Sequence, residues 1–314
     1  VPPTQFSERR NERIIGTASS PTAESTGRIV PRTSAPLVIL LLVPFARAID
    51  ADIHYEDSGG DGPVVLLAHE FFMDRTMFAA QTAALAPEFR IVSWDARGHG
   101  RTRDEGLPFT YWTAARDALT VLDHLGAEQA VVGGTAQGGF TALRTALIAP
   151  ERVSALILIS TEAHGPTPEQ STATQKFLQQ WYDDGSRERA ARQLASWLIG
   201  DDEWYRTIWT QRWLVRDRRG IEAAAGCLLS RDSVLDRLRE IACPALVIHP
   251  TDSGMDRERA RQLARGLSGA TFVEIANARL AVTMTHPEPV NHAIQQFLRT
   301  RTKPTRRTKP TRVR

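Results

Sequence analysis

The chain has 314 residues, of which 42% are hydrophobic and 24% charged, a composition that excludes collagen-like, membrane-bundle and wholly disordered classes and leaves room for one large core with an insertion. Cys227 and Cys243 are the only cysteines and neither sits in a CxxC, so a disulfide framework is excluded and a reducing, cytoplasmic setting is expected. The seven basic residues of 301–314 turn a body of formal charge −4 into a chain of +3, so the basic balance belongs to the tail.

Residues 1–36 are rich in Ser, Thr, Pro and Arg without periodicity and read as disordered. The apolar run Leu37 to Phe45 is broken by Pro44 and is too short to span a bilayer. With Arg28 and Arg32 before it and Ala46-Arg47-Ala48 after it, the run imitates a secretory signal, but one carrying a long polar leader.

From Asp52 strands and helices alternate. Asp52–Asp57 alternates like a half-exposed strand, and Val64–Ala68 is a continuous apolar run, as a buried parallel strand would be. Met77–Leu85 reads as a helix, Arg90–Trp94 as a strand, and Tyr111–Leu125 as a helix stopped by Gly126. The strand Gln129–Val132, the helix Gly138–Ile148 ended by Pro150 and the strand Ala155–Ile159 follow. Between Gly165 and Glu240 the strand signal is absent and amphipathic helical segments take over. Strands return at Ala245–Ile248 and Thr271–Ile275, each followed by a helix, at Arg257–Leu267 and Pro287–Leu298. Repeated βα units predict a doubly wound, mainly parallel sheet. The helical insertion is expected to cap the carboxyl ends of the strands, where such sheets bind ligands. It holds Trp181, Trp197, Trp204, Trp209 and Trp213, which serve as packing anchors or line an apolar pocket between cap and core. The tail repeats Arg-Thr-Lys-Pro-Thr-Arg twice in tandem and reads as a solvated basic segment without a specific nucleic-acid partner.

Four short motifs carry a resemblance. Val64-Val-Leu-Leu-Ala-His69 resembles the strand that leads into an oxyanion loop. Asp95-Ala-Arg-Gly-His-Gly100 resembles an Asp-x-Arg-Gly-x-Gly turn, with Asp95 and Arg97 expected to brace it and His99 expected to be structural. Gly134-Thr-Ala-Gln-Gly138 stands where a Gly-x-Ser-x-Gly nucleophile elbow would, and Thr285-His-Pro-Glu-Pro-Val-Asn291 resembles the start of a final helix. In this order and spacing they make residues 43–300 similar to the α/β-hydrolase superfamily. The resemblance implies a core over 43–164 and 241–300, a helical cap over 165–240, an N-terminal extension over 1–42 and a basic tail over 301–314. Val43-Pro-Phe-Ala-Arg47 resembles the beginning of such hydrolases, and the opening valine fits literal translation of a GTG start, so Val43 is the expected true start.

Against that pattern the chain departs at each catalytic position. The elbow residue is Ala136, and a methyl group cannot attack a carbonyl. The register of the histidine falls on Leu280, within Asn277-Ala-Arg-Leu280, and His286 belongs to the helix start. The acid position falls on Ser253, or on Asp252 with a one-residue deletion. The oxyanion loop reads His69-Glu70-Phe71-Phe72, and a glutamate there would oppose developing negative charge.

These departures lead to the expectation of a non-hydrolytic enzyme catalysing a cyclisation, elimination or isomerisation of a small apolar organic molecule. The alternatives are a ligand-binding pseudoenzyme and, third, a hydrolase with a relocated acid or base. Glu70 and His164 are the preferred acid–base pair, with Glu162 and Asp252 as further catalytic candidates. A solvated loop is the competing explanation for Glu162 and His164. His69, Phe71, Phe72, Ala136, Gln137, Trp181, Trp204, Trp209 and Leu280 are expected to line the substrate site. The eight histidines are scattered with no HExxH, and there is no Walker A or dinucleotide fingerprint, so neither metal nor cofactor is expected.

Overall fold

The computed structural model describes residues 45–301, so the N-terminal extension, most of the apolar run and the basic tail lie outside the described residues. Among the described residues nine strands form one sheet. In chain order they are β1 (Phe45–Ala48), β2 (Ala51–Asp57), β3 (Val64–Ala68), β4 (Arg90–Trp94), β5 (Arg103–Asp104), β6 (Ala130–Thr135), β7 (Val153–Ile159), β8 (Ala245–Pro250) and β9 (Thr271–Ile275). The spatial order is β1-β2-β4-β3-β6-β7-β8-β9, with β5 on β2. The strands β1, β2 and β5 pair antiparallel, and β2 joins β4 antiparallel. From β4 to β9 every pairing is parallel. The α/β sheet predicted from the repeated units is therefore present, with an antiparallel edge that the sequence patterning did not reveal. Ala46 to Ala48, which imitate a cleavage site, lie in β1 and pair with Ile53 to Ala51.

The central strands are apolar throughout because helices cover both faces. On one face α2 (Tyr111–His124), α3 (Gln137–Ile148) and α8 (Arg257–Gly266) share a core with Leu66, Val92, Val132 and Leu156. On the other, α1 (Ala79–Leu85) and α10 (Pro287–Arg301) flank Val65, Leu67, Ile91 and Ile157. A 3-10 turn over Arg75–Phe78, capped by the Asp74 carboxylate on Thr76 N, opens the segment that sequence periodicity reads as helix from Met77.

Between β7 and β8 come α4 (Pro168–Tyr182), α5 (Arg187–Ile199), α6 (Glu203–Val215), α7 (Glu222–Leu229) and a 3-10 turn, Leu235–Glu240. Their starts follow local chemistry. Thr167 and Gln170 form a capping box before Pro168, and Asp202 accepts from Tyr205 N at 2.9 Å. Leu178, Trp181, Leu194, Leu198, Trp209 and Trp213 of these helices belong to the same buried cluster as Phe71, Phe72, Val65 and Leu67, so the cap is continuous with one face of the core.

Candidate active site

The sharp turn from β6 to α3 sits at Ala136, with φ 47° and ψ −106°. A non-glycine residue in that region carries strain of about 1–3 kcal/mol, which persists only where the surroundings hold it. Here Ala136 N donates to Ile159 O at 2.9 Å, while its carbonyl accepts from Gly139 N, Phe140 N and Thr161 Oγ1. Gly134 and Gly138 are required by contact: a Cβ on either would stand 2.2 or 2.0 Å from Ala68 O. That approach presses the end of β3 against the elbow. From Ala130 to Ala146 every residue is buried except Ala136, so the turn presents this one methyl group outward.

The loop after β3 continues the site. His69 is fully buried: its Nε2 accepts from Ala96 N at 2.9 Å and its Nδ1 donates to Glu70 O at 2.8 Å. Burial lowers its basicity, so it is a neutral brace, and the Gln137 amide lies 3.5 Å from the ring. His99 is held the same way. Its Nε2 accepts from Phe72 N at 3.2 Å and its Nδ1 donates to Arg97 O at 2.8 Å, and burial takes it well below the ordinary histidine range. Phe72 has φ 70°, its carbonyl accepts from Trp213 Nε1 at 2.7 Å, and its ring packs edge-on to Phe71, Phe177 and Trp181. In folds with such an elbow, the N–H after the turn residue and an N–H of this loop face the developing oxyanion. Here those groups are Gln137 N and Phe71 N, and neither has a hydrogen-bond partner among the described residues.

Glu70, between His69 and Phe71, is 4% exposed. Its Oε2 has no hydrogen-bond partner among the described residues, and burial alone pushes its carboxyl up to about 8. No hydrogen bond or ion pair joins it to His164, whose own Nδ1 is buried without a partner. The preferred acid–base pair is thus not brought into contact. Glu162 is buried and accepts from Arg231 at 2.8 Å and Arg259 at 3.0 Å, which ties the end of β7 to the cap and to α8. The competing explanation of a solvated loop fails for Glu162 because both its oxygens are engaged inside the protein.

A second strained residue connects the remaining positions. Ser160, with φ 50°, lies between the two residues bonded to Ala136 and donates from Oγ to Leu280 O at 3.1 Å. Leu280 is 4% exposed in the segment after β9. On the same segment Ala278 O accepts from Asp252 N at 3.0 Å. Asp252 itself is exposed, whereas Ser253 is buried with its hydroxyl on Pro250 O. Hydrogen bonds thus tie the segments that hold positions 136, 252 and 280 through Ser160 and its neighbours, and the three positions carry a methyl, an exposed carboxylate and an isobutyl group. Of the cap tryptophans, Trp181 and Trp209 are buried, while Trp204 is 66% exposed and packs on Tyr205.

The Asp-x-Arg-Gly-x-Gly turn is braced differently from expectation. Asp95 is bonded by Arg75 N, Arg75 Nη1 and Arg101 N, whereas Arg97 reaches across to Asp117 at 2.7 and 2.8 Å. Sequence adjacency suggested an Asp95–Arg97 brace, but the turn sends the two side chains apart. The signal missed was Arg75, contributed by the capped 3-10 turn. Among the described residues no group of three or more His, Cys, Asp or Glu is placed to hold a metal, and no helix is long and apolar enough to cross a membrane.

Comparison with known proteins sets this geometry in a family. The family model for the alpha/beta hydrolase fold matches residues 63–287. A Rhizobium rhizogenes protein provisionally named as the carbamate hydrolase RutD is 29% identical over 267 residues, covering 79% of this chain and 98% of the relative. A Mycobacterium tuberculosis protein with the provisional name non-heme bromoperoxidase BpoC is 28% identical, covering 78% and 97%. The structure of a thermophilic esterase from Thermogutta terrifontis superposes with a TM-score of 0.73 at 30% identity, over 80% of this chain and 95% of the esterase. Hydrolase and esterase relatives overturn the expectation of a cyclase, lyase or isomerase and that of a ligand-binding pseudoenzyme: the departures at the elbow were read as a change of reaction class, and the relatives point to hydrolysis. Elbow, sheet order and sequence agree that the chain belongs to the alpha/beta hydrolase fold family.

Proposed function

We propose that the protein is a hydrolase of a small ester or carbamate in which water, and not an elbow side chain, attacks the carbonyl. The observation that carries this reading is Glu70: a buried carboxyl with an unpartnered oxygen, on the loop that supplies one of two vacant backbone N–H groups. On this reading the serine and histidine of the usual triad are absent, because their positions hold Ala136 and Leu280. Ionised Glu70 takes a proton from water as the water oxygen bonds to the carbonyl carbon. The oxyanion is met by Phe71 N and Gln137 N, and on collapse the bond to the leaving oxygen breaks as the proton passes to the leaving group. Phe71, Phe72 and Leu280 offer apolar surface to the rest of the substrate, and the reading calls for no cofactor.

Hydrolysis without a triad is slow, about 10³–10⁴ over the reaction in water where oxyanion stabilisation and binding alone remain. Because burial holds Glu70 up to about 8, the base is mostly protonated at neutral pH and the rate should climb until pH passes that value. The test is hydrolysis of p-nitrophenyl acetate and p-nitrophenyl carbamate across this range, corrected for the uncatalysed rate. The expected profile rises and levels off in the wild type and is flat in Glu70→Gln. Ala136→Ser alone should change the rate only a few-fold, and Ala136→Ser with Leu280→His by about 10²–10⁴. A large gain from Ala136→Ser alone would show that a base already faces the elbow, and the water mechanism would fall.

A further inference from the structure

A polar cavity, lined by no residue of the elbow or of the oxyanion loop, lies where the turn following Asp95 meets the cap. Its volume is about 500 Å³, within the range of small-molecule sites, and its walls include Gly98, His99, Arg216, Arg219 and Glu222. The two sides are in close contact at one point: a Cβ on Gly98 would come within 2.9 Å of Gly220 O.

The charged groups around this cavity are unequally committed. Asp104 accepts from Gly98 N at 2.7 Å and Gly106 N at 3.0 Å. Glu222 faces Arg219 at 3.4 Å, Asp217 accepts from Arg219 N at 3.0 Å, and Arg103 lies over the Phe45 ring. Glu105 is exposed at the rim. Arg216 is the exception. It is half-buried, its carbonyl is bonded by Arg187, and its guanidinium has no hydrogen bond or ion pair among the described residues.

The groups that face Arg216 from other elements do not fill that role. Asp74 is bonded to Arg212 at 3.0 Å and to Thr76, and Asp95 is bonded to Arg75 and Arg101. His99 has both ring nitrogens occupied and is neutral. Burial lowers the basicity of Arg216, the charges of Asp74 and Asp95 offset this only in part, and Arg212 adds to the lowering. A partly desolvated guanidinium with five donors and no acceptor is costly unless something else supplies the acceptors.

We propose that this cavity binds a small carboxylate, gripped through two parallel hydrogen bonds by the fork of Arg216. The planar guanidinium fork matches the paired oxygens of a carboxylate in a way no point charge does. No residue of the elbow lines this cavity, and the proposal does not depend on the hydrolytic reading.

The experiment is calorimetric titration of the full chain with succinate at low ionic strength, with the uncharged isostere succinamide as the control. The wild type should bind one succinate and fail to bind succinamide. Arg216→Gln should weaken succinate about ten- to a hundredfold, and Arg216→Lys should fall between, having kept the charge but lost the fork. Equal binding of succinate and succinamide by the wild type would overturn carboxylate recognition even if the variants did not fold. Absence of succinate binding to the wild type, or unchanged binding in a folded Arg216→Gln, would overturn the site. No turnover is measured, so neither result bears on hydrolysis.

Discussion

Asp95 and Glu70 are both buried carboxylates beyond the carboxyl ends of neighbouring strands, and their surroundings drive them in opposite directions. Burial alone would raise Asp95, but the contact with His54 and the hydrogen bonds from the amides of Arg75 and Arg101 outweigh it and hold the carboxyl well below its usual range. Glu70 is buried with nothing to offset the loss of water and rises to about 8. The first is a fastening and the second an idle group, and the difference is the count of donors, not the depth. A carboxylate that costs the fold something and fastens nothing is the better candidate for chemistry.

The largest expected effect exploits that idle group. Folding raises the Glu70 carboxyl from 4.5 to about 8, so between those values the folded state binds more protons than the unfolded one. Its contribution to stability is complete below the unfolded value and is lost as pH rises to about 8, on the order of 5 kcal/mol across the window. Urea unfolding at several pH values should show this fall in the wild type and not in Glu70→Gln. A wild type whose stability is flat over the window would mean that Glu70 finds a partner when it ionises, and the contrast with Asp95 would vanish.

Asp95 has the opposite sign and a slightly smaller effect. Asp95→Ala would leave Arg75 Nη1 and the backbone amides of Arg75 and Arg101 without their acceptor, and should cost about 4 kcal/mol in urea unfolding. The Gly100 contact explains why the turn tolerates nothing larger: φ is +53° and a Cβ there would lie 2.0 Å from Asp95 Cγ. A loss below about 1 kcal/mol would show that His54 and the Glu56 carboxylate, already bonded to Arg75, hold the cluster without Asp95.

The sequence made the two carboxylates visible but not their states. The buried parallel strands were legible because a strand covered on both faces must be apolar throughout, as Val64–Ala68 and Ala155–Ile159 are. The strand β1 was not, since four residues of an antiparallel edge, Phe-Ala-Arg-Ala, carry no distinctive period and share their composition with a cleavage site. The elbow was legible from two glycines that the structure shows pressed on Ala68 O, and so was its missing oxygen. What could not be read was charge. In sequence Glu70 looks like an anion opposing an oxyanion, whereas burial keeps it protonated at neutral pH. Arg216 belongs to no motif, and only the cavity beside it and the commitments of its neighbours set it apart. Reaction class was misjudged for a related reason: departures at the catalytic positions record what is absent, and they do not say what replaces it.

The smallest effects separate the cap tryptophans, which the sequence treats as equals. Trp213 is buried and its indole N–H holds Phe72 O at 2.7 Å, at the point where the cap meets the oxyanion loop. Trp213→Phe keeps the packing but leaves that carbonyl without its donor, so the unfolding midpoint should fall by the equivalent of about 2 kcal/mol. Hydrolysis should fall with it, because Phe72 follows Phe71, one of the two N–H donors proposed for the oxyanion. Trp204 is 66% exposed and was expected to line the substrate site. If the pocket is the one framed by Phe71, Phe72 and Leu280, Trp204→Ala should change stability by less than about 0.5 kcal/mol and leave the rate and KM where they were. A raised KM in Trp204→Ala with stability unchanged would mean that substrate reaches the outer face of α6, and the site would then extend further across the cap than its buried residues indicate.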